Sequence, residues 1–441
     1  MKKLLISIFL SIILVCSPLF ILSAGAYTLP VGLEIHAKSV YMVNVETGTV
    51  VYQKDPTAAV YPASVTKLMT ALVALEQTPD LQKQVTTYPG VVDDLLGTGA
   101  AVAGLFPGEI VTMEQLLNML LIPSACDAAN VIAMEVSGGV EAFVALMNQK
   151  AAELKMGNTH FVNAHGLHDD AQVTTAYDLY LLAQEILKHP QLTEICERYS
   201  YTVPPTNIKE SERNFSTTNY MINPTSSWYY KRVRGLKTGF TDAAGRNLVS
   251  LAEKDGSRYI TVVMGCPADT LNGYQVHHEF DNTDALLRWA YTDLEYTSVI
   301  DTTKPVDEVK VSLCKERDHV MAVPSQEFYA IVPKQSVDSV ILEPHLDATE
   351  LEAPIAKGTV LGTATVKCAG EEIGTIQLVA AETCERSFFL LITNRIWKII
   401  SSTPFIIIFV LLLIALAVFI AWNIQDNRRR RRLWNSKVRN K

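Results

Sequence analysis

Cysteine is scarce in this chain, and so is any excess of positive charge. Seven cysteines are scattered over 441 residues, and none forms a Cys-x-x-Cys pair, which excludes a dense disulfide framework. Lysine plus arginine number 38 against 46 acidic residues, a net charge of −8. Nothing over the whole chain therefore favours a nucleic-acid partner. There is no internal repeat. What the chain does have is apolar material, 49% of its residues, ample for a core. Its length leaves room for about two or three domains of ~150 residues each.

The two ends stand apart from the rest. Lys2 and Lys3 precede a mostly apolar stretch from Leu4 to Leu22, and Ala24-Gly25-Ala26 puts small residues where a signal peptidase reads. Residues 1–26 are expected to be a secretory signal peptide, with an uncleaved anchor as the alternative. Val15 before Cys16 is too bulky for the usual lipoprotein cleavage site. At the other end, Phe405 to Trp422 is an unbroken apolar run of 18 residues, and five arginines, Arg428 to Arg432, follow it. That run is long enough, with its flanks, to cross a bilayer. The positive-inside rule puts the arginines in the cytoplasm. The expected topology is an extracytoplasmic body, one span over 405–424 in membrane lipid and a basic cytoplasmic tail over 425–441. The arginine run suits anionic headgroups.

Between the ends, Val40 to Val51 alternates around Glu46-Thr47-Gly48 and reads as a hairpin. Pro62 opens a helical pattern through about Leu75. Thr112 with Gln115 resembles a capping box ahead of Leu116, Leu117 and Leu120. Helical patterns follow at Ala128–Val136, Val140–Leu154 and Thr175–Leu187. From Gly245 the pattern changes to strands, Asn247–Ala252 and Tyr259–Met264, around a Lys254-Asp255-Gly256 turn. A last helix is expected over about His278–Tyr291. Residues from about Asp301 to Cys384 are rich in Val, Thr, Ile and Gly and read as a small all-β domain. Ser387–Ser402 is weakly amphipathic, with Arg395, Trp397 and Lys398 suited to a membrane interface.

Three short strings carry the chemistry: Ser64-Val65-Thr66-Lys67, Ser124-Ala125-Cys126 and Lys237-Thr238-Gly239. Serine is a poor nucleophile until a base takes its proton. Ser64 and Lys67, three apart in a helical pattern, share one face. Lysine serves as that base only if burial or a nearby cation lowers its pKa, and Lys237 is a candidate for the cation. Ser124, in a break between helical stretches, can relay a proton; it also fits a plain N-cap. On an edge strand, Lys237 and Thr238 would present a cation and a hydroxyl to a carboxylate, and Gly239 would let a substrate backbone come close. A turn is the alternative for that string. His277-His278-Glu279 reads as a solvated helical face, because adjacent residues on a helix point about 100° apart.

The three strings, in that order, resemble the active site of low-molecular-mass penicillin-binding proteins, the serine-type D-alanyl-D-alanine carboxypeptidases. The resemblance runs from about Lys38 to Cys384. It includes Asn163-Ala164-His165-Gly166-Leu167, Thr175-Ala176-Tyr177-Asp178-Leu179, Thr241-Asp242-Ala243-Ala244-Gly245 and, near the end, Gly374-Thr375-Ile376 and Leu378-Val379-Ala380-Ala381-Glu382. It implies an α/β (α+β) fold: a DD-peptidase/β-lactamase-like transpeptidase domain over 27–297 and a β-rich domain over 298–386. A juxtamembrane segment, 387–404, and the transmembrane helix follow. It makes Ser64 the acylated nucleophile, Lys67 its base and Ser124 the proton relay. Lys237 and Thr238 would hold the terminal carboxylate of D-Ala. The N–H groups of Ser64 and Phe240 would form the oxyanion hole, and His165 would support the site's wall. The implied substrates are peptidoglycan stem peptides, with β-lactams as covalent inhibitors and no cofactor or metal.

Three departures stand out. Cys126 replaces the family's asparagine at a substrate-contacting position, either as a small packing residue or as a change in substrate choice. Asn272-Gly273-Tyr274 stands where relatives often have an arginine before the last helix. The bilayer span replaces the amphipathic helix of many relatives. A β-lactamase of the same fold is disfavoured, since no Glu-x-x-Leu-Asn string lies between Ser124 and Lys237. A transpeptidase, favoured only by Cys126, and a penicillin-binding scaffold without turnover remain as rivals.

Overall fold

The computed structural model describes residues 33–368 and 370–439; the expected signal peptide lies outside them. Two compact units divide the chain. The first runs through Val299 and takes in Tyr329–Val340 and Cys368–Gly374; the second is Ile300–Phe328, Ile341–Lys367 and the chain from Thr375 on.

The first unit is built on a five-stranded antiparallel sheet. Its strands are β1 (Ser39–Asn44), β2 (Val50–Lys54), β3 (Val233–Thr241), β4 (Gly245–Lys254) and β5 (Ser257–Cys266), in the spatial order β2-β1-β5-β4-β3. Side chains alternate across a strand, and both faces here are apolar. Tyr41, Val43, Val249, Leu251, Ile260 and Val262 enter one buried cluster. Their neighbours Val40, Met42, Leu248, Ala252, Tyr259 and Val263 enter another. The first face is covered by α1 (Lys67–Gln77), α2 (Met113–Leu121), α3 (Cys126–Ser137), α4 (Val140–Glu153) and α5 (Ala176–Ile186). The second is covered by α6 (His278–Asp293), through Phe280, Leu286, Leu287 and Ala290. Each fully buried Leu or Phe contributes about 1.5–3 kcal/mol, so this sandwich fixes the sheet that the site is built on.

Local signals set the helix starts. Thr112 and Gln115 form the reciprocal capping box that their spacing predicts. Thr175 caps α5 by accepting the Asp178 N–H at 3.0 Å. The expected helix from Pro62 starts differently: Ala63–Thr66 is a 3-10 turn, and the α-helix begins only at Lys67.

Most of a six-stranded sheet lies in the second unit, in the order Val340–Leu346, Val360–Cys368, Glu371–Ala380, His319–Pro324, Asp307–Ser312, Glu350–Glu352. Cys314 and Cys384 are disulfide-bonded with Cα atoms 5.9 Å apart, a pairing that the scattered spacing did not single out. The chain then forms a helix over Phe388–Ile400, capped by Ser387, and another over Thr403–Arg439. Within the latter, Thr403–Arg431 is long and apolar enough to cross a membrane. Its 29 residues run about 44 Å at the α-helical rise, and its apolar side chains are exposed.

Candidate active site

The turn that carries Ser64 explains the Ser64–Lys67 spacing. In a 3-10 helix the side chains at i and i+3 eclipse, and Lys67 Nζ stands 3.0 Å from Ser64 Oγ. The turn is strained, with Ala63 at φ 48°, and it is wedged from three sides. A Cβ on Gly166 would lie 2.0 Å from the Ala63 carbonyl oxygen, and one on Gly239 would lie 2.9 Å from the Pro62 carbonyl oxygen. Asn247 Nδ2 donates to the carbonyls of Tyr61 at 3.0 Å and Pro62 at 3.3 Å. Asn247 Oδ1 accepts the Gly265 N–H at 2.7 Å. The Cβ position of Gly239 therefore faces the Ser64 turn: glycine here lets β3 approach that turn, where the sequence suggested room for a substrate backbone.

Lys67 is fully buried. Burial lowers its pKa from the usual lysine range, only partly opposed by Cys126 and Asp127. Its amine contacts Ser64 Oγ, Cys126 Sγ at 3.4 Å and the carbonyl oxygen of His165. The His165 ring does not act as a base here. The Leu167 N–H donates to Nδ1, so the ring proton sits on Nε2, 3.2 Å from Asp94 Oδ2. Burial and Lys67 push the His165 pKa down to about 4.

Ser124 is not an N-cap. Ala125 occupies that position of α3, while Ser124 takes φ 67°, a left-handed conformation uncommon for a residue other than glycine. Its Oγ is buried without a hydrogen-bond partner among the described residues. Cys126 opens α3, donating its backbone N–H to Ala101 O at 2.8 Å. The next residue, Asp127, ties down the facing loop by accepting the N–H groups of Ala103 at 2.8 Å and Leu105 at 3.0 Å.

Lys237, Thr238, Gly239 and Phe240 lie within β3, an edge strand of the sheet. Lys237 is almost fully buried. Burial and the neighbouring Lys67 bring its pKa down to about 7. Its Nζ donates to the Thr238 carbonyl at 3.0 Å, and the Thr238 and Thr218 hydroxyls are hydrogen-bonded at 2.5 Å.

These groups meet at a cleft of about 750 Å³, lined by Ser64, Ser124, Cys126, Thr238, Gly239 and Phe240 among others. Lys67 and Lys237 are not among its lining residues and are buried behind it. The expected solvated face at His277-His278-Glu279 is not found. Glu279 is 3% exposed, because α6 lies against the sheet and turns Glu279 into the cleft wall. There Glu279 Oε1 contacts His277 Nδ1 at 2.8 Å. His278 does not line the cleft and contacts Asp269 at 3.2 Å. Sequence reasoning also passed over Asn247, Arg246 and the reason for Gly166, whose partners lie far away in the chain.

A serine with a buried lysine at its hydroxyl, a second serine hydroxyl and a lysine-bearing edge strand define a penicillin-interacting serine acyltransferase site. Residues 26–268 match the family described as D-alanyl-D-alanine carboxypeptidase, and residues 295–386 match the C-terminal domain of penicillin-binding protein 5. The chain belongs to the D-alanyl-D-alanine carboxypeptidase family, a family of serine hydrolases. It is 29% identical over 366 residues to the D-alanyl-D-alanine carboxypeptidase DacF of Bacillus subtilis, covering 82% of this chain and 90% of the relative. Penicillin-binding protein 5 of Haemophilus influenzae superposes with a TM-score of 0.61 at 26% identity, over 82% of this chain and all of that one. The Streptomyces K15 DD-transpeptidase superposes with a TM-score of 0.54 at 28% identity, over 60% of this chain and 99% of that one.

Proposed function

We propose that Ser64 is the nucleophile through which this D-Ala–D-Ala carboxypeptidase removes the terminal D-alanine from peptidoglycan stem pentapeptides. The observation that carries the assignment is the environment of Lys67 Nζ. A neutral amine has two N–H groups and one lone pair. The His165 carbonyl and Cys126 Sγ can take the two N–H groups, which leaves the lone pair for the Ser64 hydroxyl at 3.0 Å. Burial favours that neutral form.

In acylation, Ser64 Oγ adds to the penultimate carbonyl carbon and its proton passes to Lys67. The N–H groups of Ser64 and Phe240 hold the oxyanion; one such donor is worth about 3–4 kcal/mol. Lys237 and Thr238 hold the terminal carboxylate, whose charge favours the protonated form of Lys237. The proton now on Lys67 passes to the leaving nitrogen through Ser124 Oγ, which takes one proton as it gives another and has no other partner among the described residues. The C–N bond breaks and D-alanine departs. Water then adds to the Ser64 ester and releases the shortened peptide. β-Lactams acylate the same oxygen. The helix at Thr403–Arg431 anchors the enzyme in the membrane, with the catalytic unit on the cell-wall side and the arginine tail inside.

A second reading, transfer of the acyl group to an amine, is favoured by Cys126 in the cleft wall and by the likeness to a DD-transpeptidase. Mass spectrometry separates the two. The full-length enzyme with a pentapeptide should give a tetrapeptide short of one D-Ala, and Ser64→Ala should give none. An amine adduct in place of the tetrapeptide would support transfer, and release that persists in Ser64→Ala would refute the assignment.

A further inference from the structure

The cleft is lined by a buried cation that the mechanism above leaves unused. Arg246 leaves β4 opposite Phe240, its register partner on β3, and lines the cleft with Ser64 and Thr238. It is 7% exposed. Its Cζ sits 4.8 Å from the centre of the Phe240 ring. Nη2 donates to Gln275 Oε1 at 2.7 Å, and Nη1 lies 3.3 Å from His277 Nδ1 and 3.7 Å from Glu279 Oε1. The Arg246 Nε and the Glu279 Oε2 are buried and have no hydrogen-bond partner among the described residues.

Desolvating an ion pair is costly, and apolar residues of similar size would often line such a wall at lower energy. The pair is also incompletely satisfied, which is unusual for buried polar groups in a purely structural role. What it does provide is a guanidinium clamped between an aromatic face and a glutamine, charged at any pH, with a planar fork matched to a carboxylate. Lys237 is different: it is buried behind the cleft and already donates to the Thr238 carbonyl.

We propose that Arg246 is a specificity-determining residue that pairs with the C-terminal carboxylate of the donor peptide, and that Gln275 and Glu279 position it. The inference rests on the carboxypeptidase reading and adds Arg246 to Lys237 and Thr238 as a group that reads the free C-terminus. Phe240 gives the guanidinium its flat support; Glu279 keeps it from swinging out of the cleft.

The test uses the full-length enzyme in detergent and two peptides, one ending in D-Ala–D-Ala and the other in the same sequence as its C-terminal amide. One charged hydrogen bond corresponds to about a tenfold to a hundredfold effect. Arg246→Gln should lose that much kcat/KM on the free acid, mainly through KM, and less than about threefold on the amide. Arg246→Lys keeps the charge without the fork and should fall between on the acid alone; it decides the matter if the glutamine variant does not fold. Equal losses on both peptides, or none on either, would overturn the role. Wild-type release of D-Ala is scored first. Its absence overturns the carboxypeptidase reading and this inference with it, whereas release without an acid-selective loss overturns Arg246 alone.

Discussion

Replacing Lys237 by methionine should inactivate the enzyme and stabilise it. Lys237 is buried, without an ion-pair partner among the described residues, and repelled by Lys67. Its pKa falls from 10.5 to about 7. At 1.36 kcal/mol per unit, holding the charged form in the fold costs at most about 5 kcal/mol. The folded-state pKa lies below the unfolded one, so between about pH 7 and 10.5 the unfolded chain binds more protons. The penalty is thus complete below pH 7 and disappears as pH rises through 10.5. Methionine has nearly the same length and no charge. Relaxation reduces the gain to an expected 1–3 kcal/mol or about that, as when buried charges elsewhere give way to apolar groups. That corresponds to about 2–4 °C of melting temperature per kcal/mol, somewhat less for so large a unit. Thermal melts of the full-length protein in detergent at pH 6, 8 and 10 would show it, alongside labelling with fluorescent penicillin. The variant should melt highest relative to wild type at pH 6, with the gap closing toward pH 10, and should label slowly. A variant that melts at or below wild type at pH 6, or a gap that ignores pH, would refute the reasoning.

Other expectations follow from single contacts. Gly166→Ala places a Cβ 2.0 Å from the Ala63 carbonyl oxygen at a φ of 83°; penicillin labelling should be lost, and labelling at the wild-type rate would show that the turn can move aside. Cys314→Ser opens a loop whose ends are 70 residues apart, worth about 4 kcal/mol on a chain-entropy model; the second unit should become protease-sensitive while the penicillin acylation rate holds, measured by limited proteolysis and gel labelling. Cys126→Asn, beside Lys67, should slow acylation no more than about tenfold if the thiol only orients the amine, and a changed ratio of hydrolysis to aminolysis in product analysis would show instead that position 126 selects the acceptor.

What could be read from the sequence was what local chemistry writes there. Thr112 and Gln115 cap a helix because both partners lie within one turn. The hairpin at Glu46-Thr47-Gly48 and the Lys254-Asp255-Gly256 turn join antiparallel neighbours. The three strings supplied the proposed nucleophile, lysines and relay because each string is short and holds its own chemistry. The rest depends on distant partners. Ser124 has the composition of an N-cap, yet its neighbour takes that place while the serine adopts a positive φ. Glu279 sits in what read as a polar helical face, but the packing of α6 on the sheet decides which side of the helix meets water. The Cys314–Cys384 pair and the contacts of Asn247 with Tyr61 and Pro62 join residues that no spacing rule connects.

The Ser64 turn shows why short strings and long-range packing are both needed. Ser-x-x-Lys puts hydroxyl and amine on one face of any helix, and the 3-10 winding of residues 63–66 aligns them more closely, since an α-helix would rotate the fourth residue about 60° off the eclipsed position. Nothing in the string itself requires that tighter winding. Gly239 from the edge strand, Gly166 from the loop before α5 and the Asn247 amide each press on its backbone. The lysine is then held against the His165 carbonyl and the Cys126 thiol from two further segments. The proposed general base therefore depends on tertiary contacts: the same four residues on an exposed helix would carry an ordinary, protonated lysine and an unreactive serine.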